Sequence, residues 1–121
     1  MNLSLVVENG LQIVEGEPDA AFLASVRDIN RLIEVCLGEG VNAALLYAPN
    51  LTPAFFDLSS GEAGEILQKL RNYHIRLAVV YRPGSVVFSS RFGEMLVDEQ
   101  GGPHFGVFES RQAAIEWLGQ H

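Results

Sequence analysis

The sequence predicts an α/β domain: a mixed, mostly parallel sheet of about five strands, with an N-terminal hairpin and about four helices. Three observations carry this. Short apolar runs alternate with stretches of helical period along the 121 residues, the pattern of strands joined by crossover helices. Two of those runs, NAALLY at 42–47 and RLAVVY at 76–81, are nearly continuous in apolar residues, as strands covered on both faces are. Between two further short apolar segments lies Glu8-Asn9-Gly10, and Asn-Gly supplies the positive φ of a tight hairpin turn.

Taken in order, 3–7 and 11–15 form the hairpin, and Gly16-Glu17-Pro18-Asp19 breaks it off. The stretch 20–24 is compatible with an extended piece or with a lead-in to a helix. A helix is expected over 26–37, with Ile29, Leu32, Ile33 and Cys36 as its buried stripe. Ser25 and Asp28 resemble a capping box at its start, and Gly38 and Gly40 supply its stop. After the strand at 42–47, Pro49 to Pro53 is a loop in which Thr52-Pro53 can open a helical turn. The clearest helix covers 60–73, with Ala63, Ile66, Leu67, Leu70 and Tyr73 on its apolar face. A strand at 76–81, a break at 82–85, a helix at 90–97 and a turn at 98–103 follow. A last strand at 104–108 and a helix at 110–118 complete the order β-β-α-β-α-β-α-β-α.

Composition narrows the function. Apolar residues make up 48% of the chain, enough for one core without a metal or disulfide staple. The net charge of −7, from 15 acidic and 8 basic side chains, repels phosphate backbones and anionic bilayers, so neither nucleic acid nor membrane is an expected partner. The single cysteine, Cys36, excludes an intrachain disulfide. The opening Met1-Asn2-Leu3-Ser4 lacks the basic, then apolar, pattern of a secretory signal, and charges interrupt every apolar run. A cytoplasmic location is the expectation.

Motifs for chemistry are sparse. His74, His104 and His121 lie far apart, with no H-x-x-x-H or C-x-x-C, so no metal is expected. Cys36 sits on an apolar helix stripe, where a thiol behaves as a small hydrophobe. No G-x-G-x-x-G or Walker lysine is present, and no cofactor is expected. Phe55-Phe56 either anchors a partner or packs under the loop, and paired aromatics more often fill space. Asp57-Leu58-Ser59-Ser60-Gly61 leads into the strong helix. Ser59 with Glu62 fits an S-x-x-E capping box, and Ser60 could cap one residue later. Hydroxyls at a helix N-terminus also suit phosphorylation: the helix dipole favours a phosphoryl group there, while Asp57, Glu62 and Glu65 oppose it.

As a block, 53–80 (PAFFDLSSGEAGEILQKLRNYHIRLAVV) closely resembles the signature of the uncharacterised bacterial domain-of-unknown-function family 4180, with its FFDL, AGEILQK and NY segments before an apolar strand. Weaker likeness extends to 25–36, 89–102 and 113–118. Two departures stand out: Tyr81-Arg82-Pro83 replaces a Gly-Asp-Phe-like turn, and Ser59 stands where lysine is frequent. The family name implies no activity. More remotely, the element order and Asp57-Leu58-Ser59-Ser60-Gly61 are similar to the STAS domains of anti-sigma-factor antagonists. Those carry D-S-S-G before a helix, and a partner kinase phosphorylates the serine before the glycine. Leu58 is an extra residue in that motif. The resemblance implies one STAS-like domain over 1–121 that binds partners or small ligands, with Ser60 as the modified hydroxyl.

The resulting expectation is a non-enzymatic regulatory or protein-interaction module. Its phospho-switch would lie at the N-terminus of the helix after the third strand, with a regulator or kinase as partner. Phe55, Phe56, Asp57, Ser59, Ser60, Gly61 and Glu62 would form the switch surface. A homodimer is also compatible with the sequence. The alternative is a small-ligand-binding protein or small enzyme with a pocket at the carboxyl ends of the strands. Tyr47, Asn50 and Tyr81, at or just past predicted strand ends, would line it, with Asp57 and Ser60 nearby.

Overall fold

A computed structural model describes residues 3–18, 28–51, 53–57, 61–84, 88–90, 92–94 and 104–120. Strand β1 (Ser4–Glu8) turns into β2 (Leu11–Glu15) through Asn9 and Gly10, whose φ values of 52° and 80° are the left-handed pair of a two-residue hairpin. The pair is antiparallel, with Ser4 opposite Glu15 and Glu8 opposite Leu11. Strands β3 (Ala43–Tyr47), β4 (Arg76–Val80) and β5 (Phe105–Phe108) then add in parallel, so the sheet runs β1-β2-β3-β4-β5. The fold is α/β with a five-stranded, mostly parallel sheet, as expected from the alternation of apolar runs and helical stretches.

The period of two along each strand divides the core between the two faces. Val14, Ala44, Leu46, Leu77, Val79 and Phe105 point to one face, and Ile13, Ala43, Leu45 and Ala78 to the other. Helices α1 (Ile29–Glu39) and α2 (Glu62–Asn72) cover the first face. This is what crossovers of one hand require when successive strands step steadily across a sheet. Helix α3 (Arg111–Gln120) covers the second face with Ala114, Ile115, Trp117 and Leu118. A short helical stretch, Ser90 and residues 92–94, sets Phe92 into the first layer. Ser89 caps it: its Oγ accepts the Phe92 amide at 3.1 Å.

Both α1 and α2 end in the same hydrogen-bonded motif. The Val41 amide donates to the Cys36 carbonyl (2.9 Å) across Gly40, and the Ile75 amide to the Leu70 carbonyl (2.9 Å) across His74. Each bridging residue has a left-handed backbone, with φ of 69° at Gly40 and 58° at His74. This is a Schellman closure, usual for glycine and uncommon for histidine. Helix α1 thus continues past Gly38 and stops at Gly40.

The structure corrects two details. Gly61, with φ of 79°, occupies the N-cap of α2, and among the described residues no side chain caps that helix. Glu62 is therefore its first residue and not the third residue of a Ser59 box; Ser59 and Ser60 lie outside the described residues. Ser25, the expected cap of α1, also lies outside them, as do the stretch 20–24 and the turn at 98–103. Tyr73 falls after α2 and is half exposed, because the chain leaves helical geometry there and its ring turns away from the apolar face.

Phe55 and Phe56 are buried and do not form an exposed anchor. A short 3₁₀ turn, Pro53–Phe56, carries them into the core. There Phe55 meets Phe56, Phe92 and Phe105 edge-on at centroid distances of 5.2, 5.8 and 6.1 Å. Five ring contacts would be lost if the pair faced a partner; the rings close the end of the core beneath the loop.

Cys36 is fully buried on the α1 stripe, and burial pushes its thiol up to about 12. A thiol that cannot ionise is a poor nucleophile. Cys36 is expected to ignore a disulfide-exchange reagent in the native protein at neutral pH and to react fully once denatured. Rapid native labelling would show that α1 opens readily.

Candidate functional site at the carboxyl edge

Because β2 to β5 are parallel, their carboxyl ends emerge along one edge of the sheet, where the connections diverge and leave room for a ligand. Here they surround a cleft of about 380 Å³, within the range of small-molecule sites. The β2 exit contributes Pro18, the β3 exit Tyr47 and Pro49, and the β4 exit Val80, Tyr81 and Arg82. The joint between β5 and α3 adds Glu109, Ser110 and Arg111. Prolines, Val80 and the tyrosine rings make the walls mainly apolar, with polar groups at defined points. Two other depressions, about 430 Å³ between the hairpin turn and α3 and about 370 Å³ between Val7 and Gly40, lack such convergence of strand ends.

One side of the cleft is built on Arg111. Its Nε and Nη2 donate to the two oxygens of Glu15, each at 2.9 Å, in a bidentate pair. Nη2 also donates to Glu8 at 2.9 Å. The Tyr47 hydroxyl donates to Glu15 as well. One guanidinium thus joins the hairpin to the start of α3, and the shared carboxylate joins both to the end of β3. Ser110 begins that helix: its Oγ accepts the Ala113 amide at 3.1 Å.

The charges follow from this wiring. Burial alone would raise the Glu15 carboxyl, but hydrogen bonds from Arg111 and Tyr47 and the Arg111 charge more than offset that, holding it below the ordinary value. Burial and then Glu15 push the Tyr47 hydroxyl up to about 12. Arg111 is raised by its bonds to Glu15 and Glu8. The Tyr81 hydroxyl is raised by burial and then by the neighbouring Glu109 carboxylate.

Tyr47 and Tyr81, both expected at a carboxyl-edge pocket, do line the cleft. Asn50 does not. It is fully buried behind the wall, where its Oδ1 accepts the Tyr47 amide (2.7 Å) and its Nδ2 donates to the Glu17 carbonyl (2.6 Å). The amide therefore ties the β3 exit to the β2 exit. Gly16 makes this clamp feasible, since a Cβ there would lie 2.5 Å from Asn50 Oδ1. Asp57, Gly61 and Glu62 are not among the cleft residues: Asp57 is exposed after the 3₁₀ turn, and Gly61 and Glu62 start α2. Ser59 and Ser60 lie outside the described residues. The sequence reading missed Glu15, Glu109 and Arg111. Glu15 ends β2, and Glu109 and Arg111 flank the β5–α3 joint, so the strand-end rule applied to β3 and β4 would have found them at β2 and β5.

Two outcomes follow. With its carboxyl depressed in the fold, Glu15 contributes stability that is present above its unfolded value of about 4.5 and is lost as pH falls through the lower folded value. Glu15→Gln should lose roughly 1–2 kcal/mol at neutral pH, a charged hydrogen bond discounted for the exposure of Arg111, and should show a flatter acid-unfolding curve below pH 4.5. Urea melts across pH check both; an unchanged acid limb would remove Glu15 from the account. Gly16→Ala should cost roughly 1–3 kcal/mol by displacing the Asn50 amide, and Asn50→Ala about as much by leaving buried backbone groups unpaired. Chemical denaturation of the two single variants measures these costs, and the double variant should fall well short of their sum.

Among the described residues no group of three or more His, Cys, Asp and Glu side chains could hold a metal ion, and no helix is long and apolar enough to cross a membrane. Comparison with curated proteins and with solved structures gives no match. Residues 8–118, from the end of β1 to the last turn of α3, match the family described as a domain of unknown function, DUF4180. The chain belongs to that family.

Proposed function

We propose that this protein is a small-ligand-binding module that uses the carboxyl-edge cleft between Pro18, Tyr47, Tyr81 and the β5–α3 joint. The observation that carries this reading is the convergence of four strand exits on one largely apolar cavity of about 380 Å³ whose polar side chains are already held in place. Preorganised walls spare a ligand the cost of ordering them. The regulatory-module reading rests on the switch segment Asp57 to Glu62, of which Ser59 and Ser60 lie outside the described residues; an exposed Phe55-Phe56 would favour it, and both rings are core residues. A cytoplasmic setting suits the reading, since the one thiol needs no oxidising compartment.

Amide chemical-shift mapping with a fragment set tests the proposal. Saturable shifts at Tyr47, Tyr81, Arg82, Ser110 and Arg111, with the hairpin turn at Asn9 and Gly10 unmoved, are the expected result. A set that produces no saturable shift at those residues, or shifts only near Asp57 and Glu62, would overturn it.

A further inference from the structure

Strand β1 forms one edge of the sheet, and among the described residues no strand pairs with its outer side. The hairpin decides which of its backbone groups face outward. A two-residue turn closes on a pair that exchanges both hydrogen bonds, here Glu8 with Leu11, and such pairs recur at every second residue. Glu8, Val6 and Ser4 therefore spend their amides and carbonyls on β2. Those of Leu5 and Val7 point away from the sheet.

The same two residues carry exposed apolar surface. Leu5 is 43% and Val7 62% exposed, two of the four large hydrophobic side chains exposed among the described residues. Leu5 stands opposite Val14, so both side chains lie on the face that α1 and α2 cover, yet they remain open. Free edges are commonly blunted by lysine, proline or a bulge. Ser4–Glu8 (SLVVE) has no lysine or proline, and its register against β2 is unbroken. The opposite edge, β5, differs: Phe105 is buried and the three residues after it are half-buried.

The strand is complementary to itself. Two antiparallel copies pair outward groups with outward groups only in registers that set odd residues opposite odd ones, and the register centred on Val6 uses the whole strand. There Leu5 of each copy exchanges both hydrogen bonds with Val7 of the other. On the α1–α2 face the two leucines and two valines close into one apolar cluster. On the opposite face Val6 meets Val6, and Ser4 meets Glu8. That last pair sets a hydroxyl donor beside a carboxylate whose charge Arg111 already balances, so no like charges oppose each other across the seam.

We propose that the protein forms a two-fold homodimer through β1, the two sheets joining into one continuous sheet. The proposal stands apart from the carboxyl-edge cleft and does not depend on it. A five-residue strand makes a small interface, so the dissociation constant should be roughly micromolar.

Sedimentation velocity over a concentration series tests this, and the full chain should pass reversibly from monomer to dimer. Val7→Pro removes an outward amide and no bond to β2, and should leave a folded monomer at every concentration. Val7→Lys keeps the backbone and puts a charge from each copy into the apolar cluster. It should weaken the dimer at least about tenfold, and it decides the matter if the proline variant does not fold. Val6→Cys reports the register: its copies face each other in a non-hydrogen-bonded pair with Cα atoms about 4.5 Å apart, within the span of a disulfide. Mild oxidation should link Val6→Cys into a covalent dimer. The unaltered chain, whose single Cys36 is buried, should stay unlinked, as should Leu5→Cys, whose copies are offset by two residues along the strand. A chain that remains monomeric at about millimolar concentration overturns the proposal, as does a dimer indifferent to both Val7 variants. Linkage through Leu5→Cys and not through Val6→Cys overturns the pairing.

Discussion

Four parallel strands, the middle two buried on both faces, must all leave the sheet through the same edge, and that constraint governs this molecule. The middle of such a sheet can be apolar without exception, because the strand ladder satisfies the backbone. Ala43, Ala44, Leu45 and Leu46 of β3 are all fully buried for that reason. At the exit the ladder ends, the chain turns away, and amides and carbonyls need new partners. Asn50 supplies two of them at once, accepting from Tyr47 and donating to Glu17. Glycine at position 16 follows from Asn50, and the positions of Pro18 and Pro49 follow from the clamp. The cleft is a by-product of solving a hydrogen-bonding problem.

Arg111 solves a second problem at the same edge. Among the described residues, α3 is the one helix on its face, opposite the layer formed by α1 and α2. Apolar burial holds it down but does little to fix its rotation or its slide along the sheet, since hydrophobic attraction is non-directional. A bidentate guanidinium–carboxylate pair is directional. Arg111 at the first turn grips Glu15, and at the far end Arg76, buried at the start of β4, donates to the Leu118 carbonyl at 2.7 Å. The helix is pinned at both ends by arginines, one its own and one from the strand beneath it.

Local signals in the sequence were strong where a single residue type has few alternatives. Asn9-Gly10 reads as a hairpin because few other pairs tolerate two left-handed residues in a row, and Gly40 reads as a helix stop for the same reason. The strand exits bearing Tyr47 and Tyr81 were legible because a continuous apolar run followed by proline marks its own end. His74 was not legible as a helix closure, since histidine seldom takes a left-handed backbone and carries no such signal. Nor was the Arg111–Glu15 pair. Its members lie 96 positions apart, and their meeting depends on which face α3 selects, a choice that periodicity cannot express. The S-x-x-E pattern at Ser59 misled in a different way: Gly61 can adopt a backbone that starts the helix later, and a capping motif is blind to that freedom.

The solitary position of α3 also has a consequence for the order in which the chain becomes safe. Until residues 111–120 have been made, Ile13, Leu45 and Ala78 form a bare apolar surface on an otherwise assembled sheet. A nascent chain in that state offers neighbours on the ribosome a flat, sticky plane, the kind of transient exposure that invites aggregation. Residues 111–120 act as the lid on that plane, so proteolytic trimming there would yield a self-associating fragment.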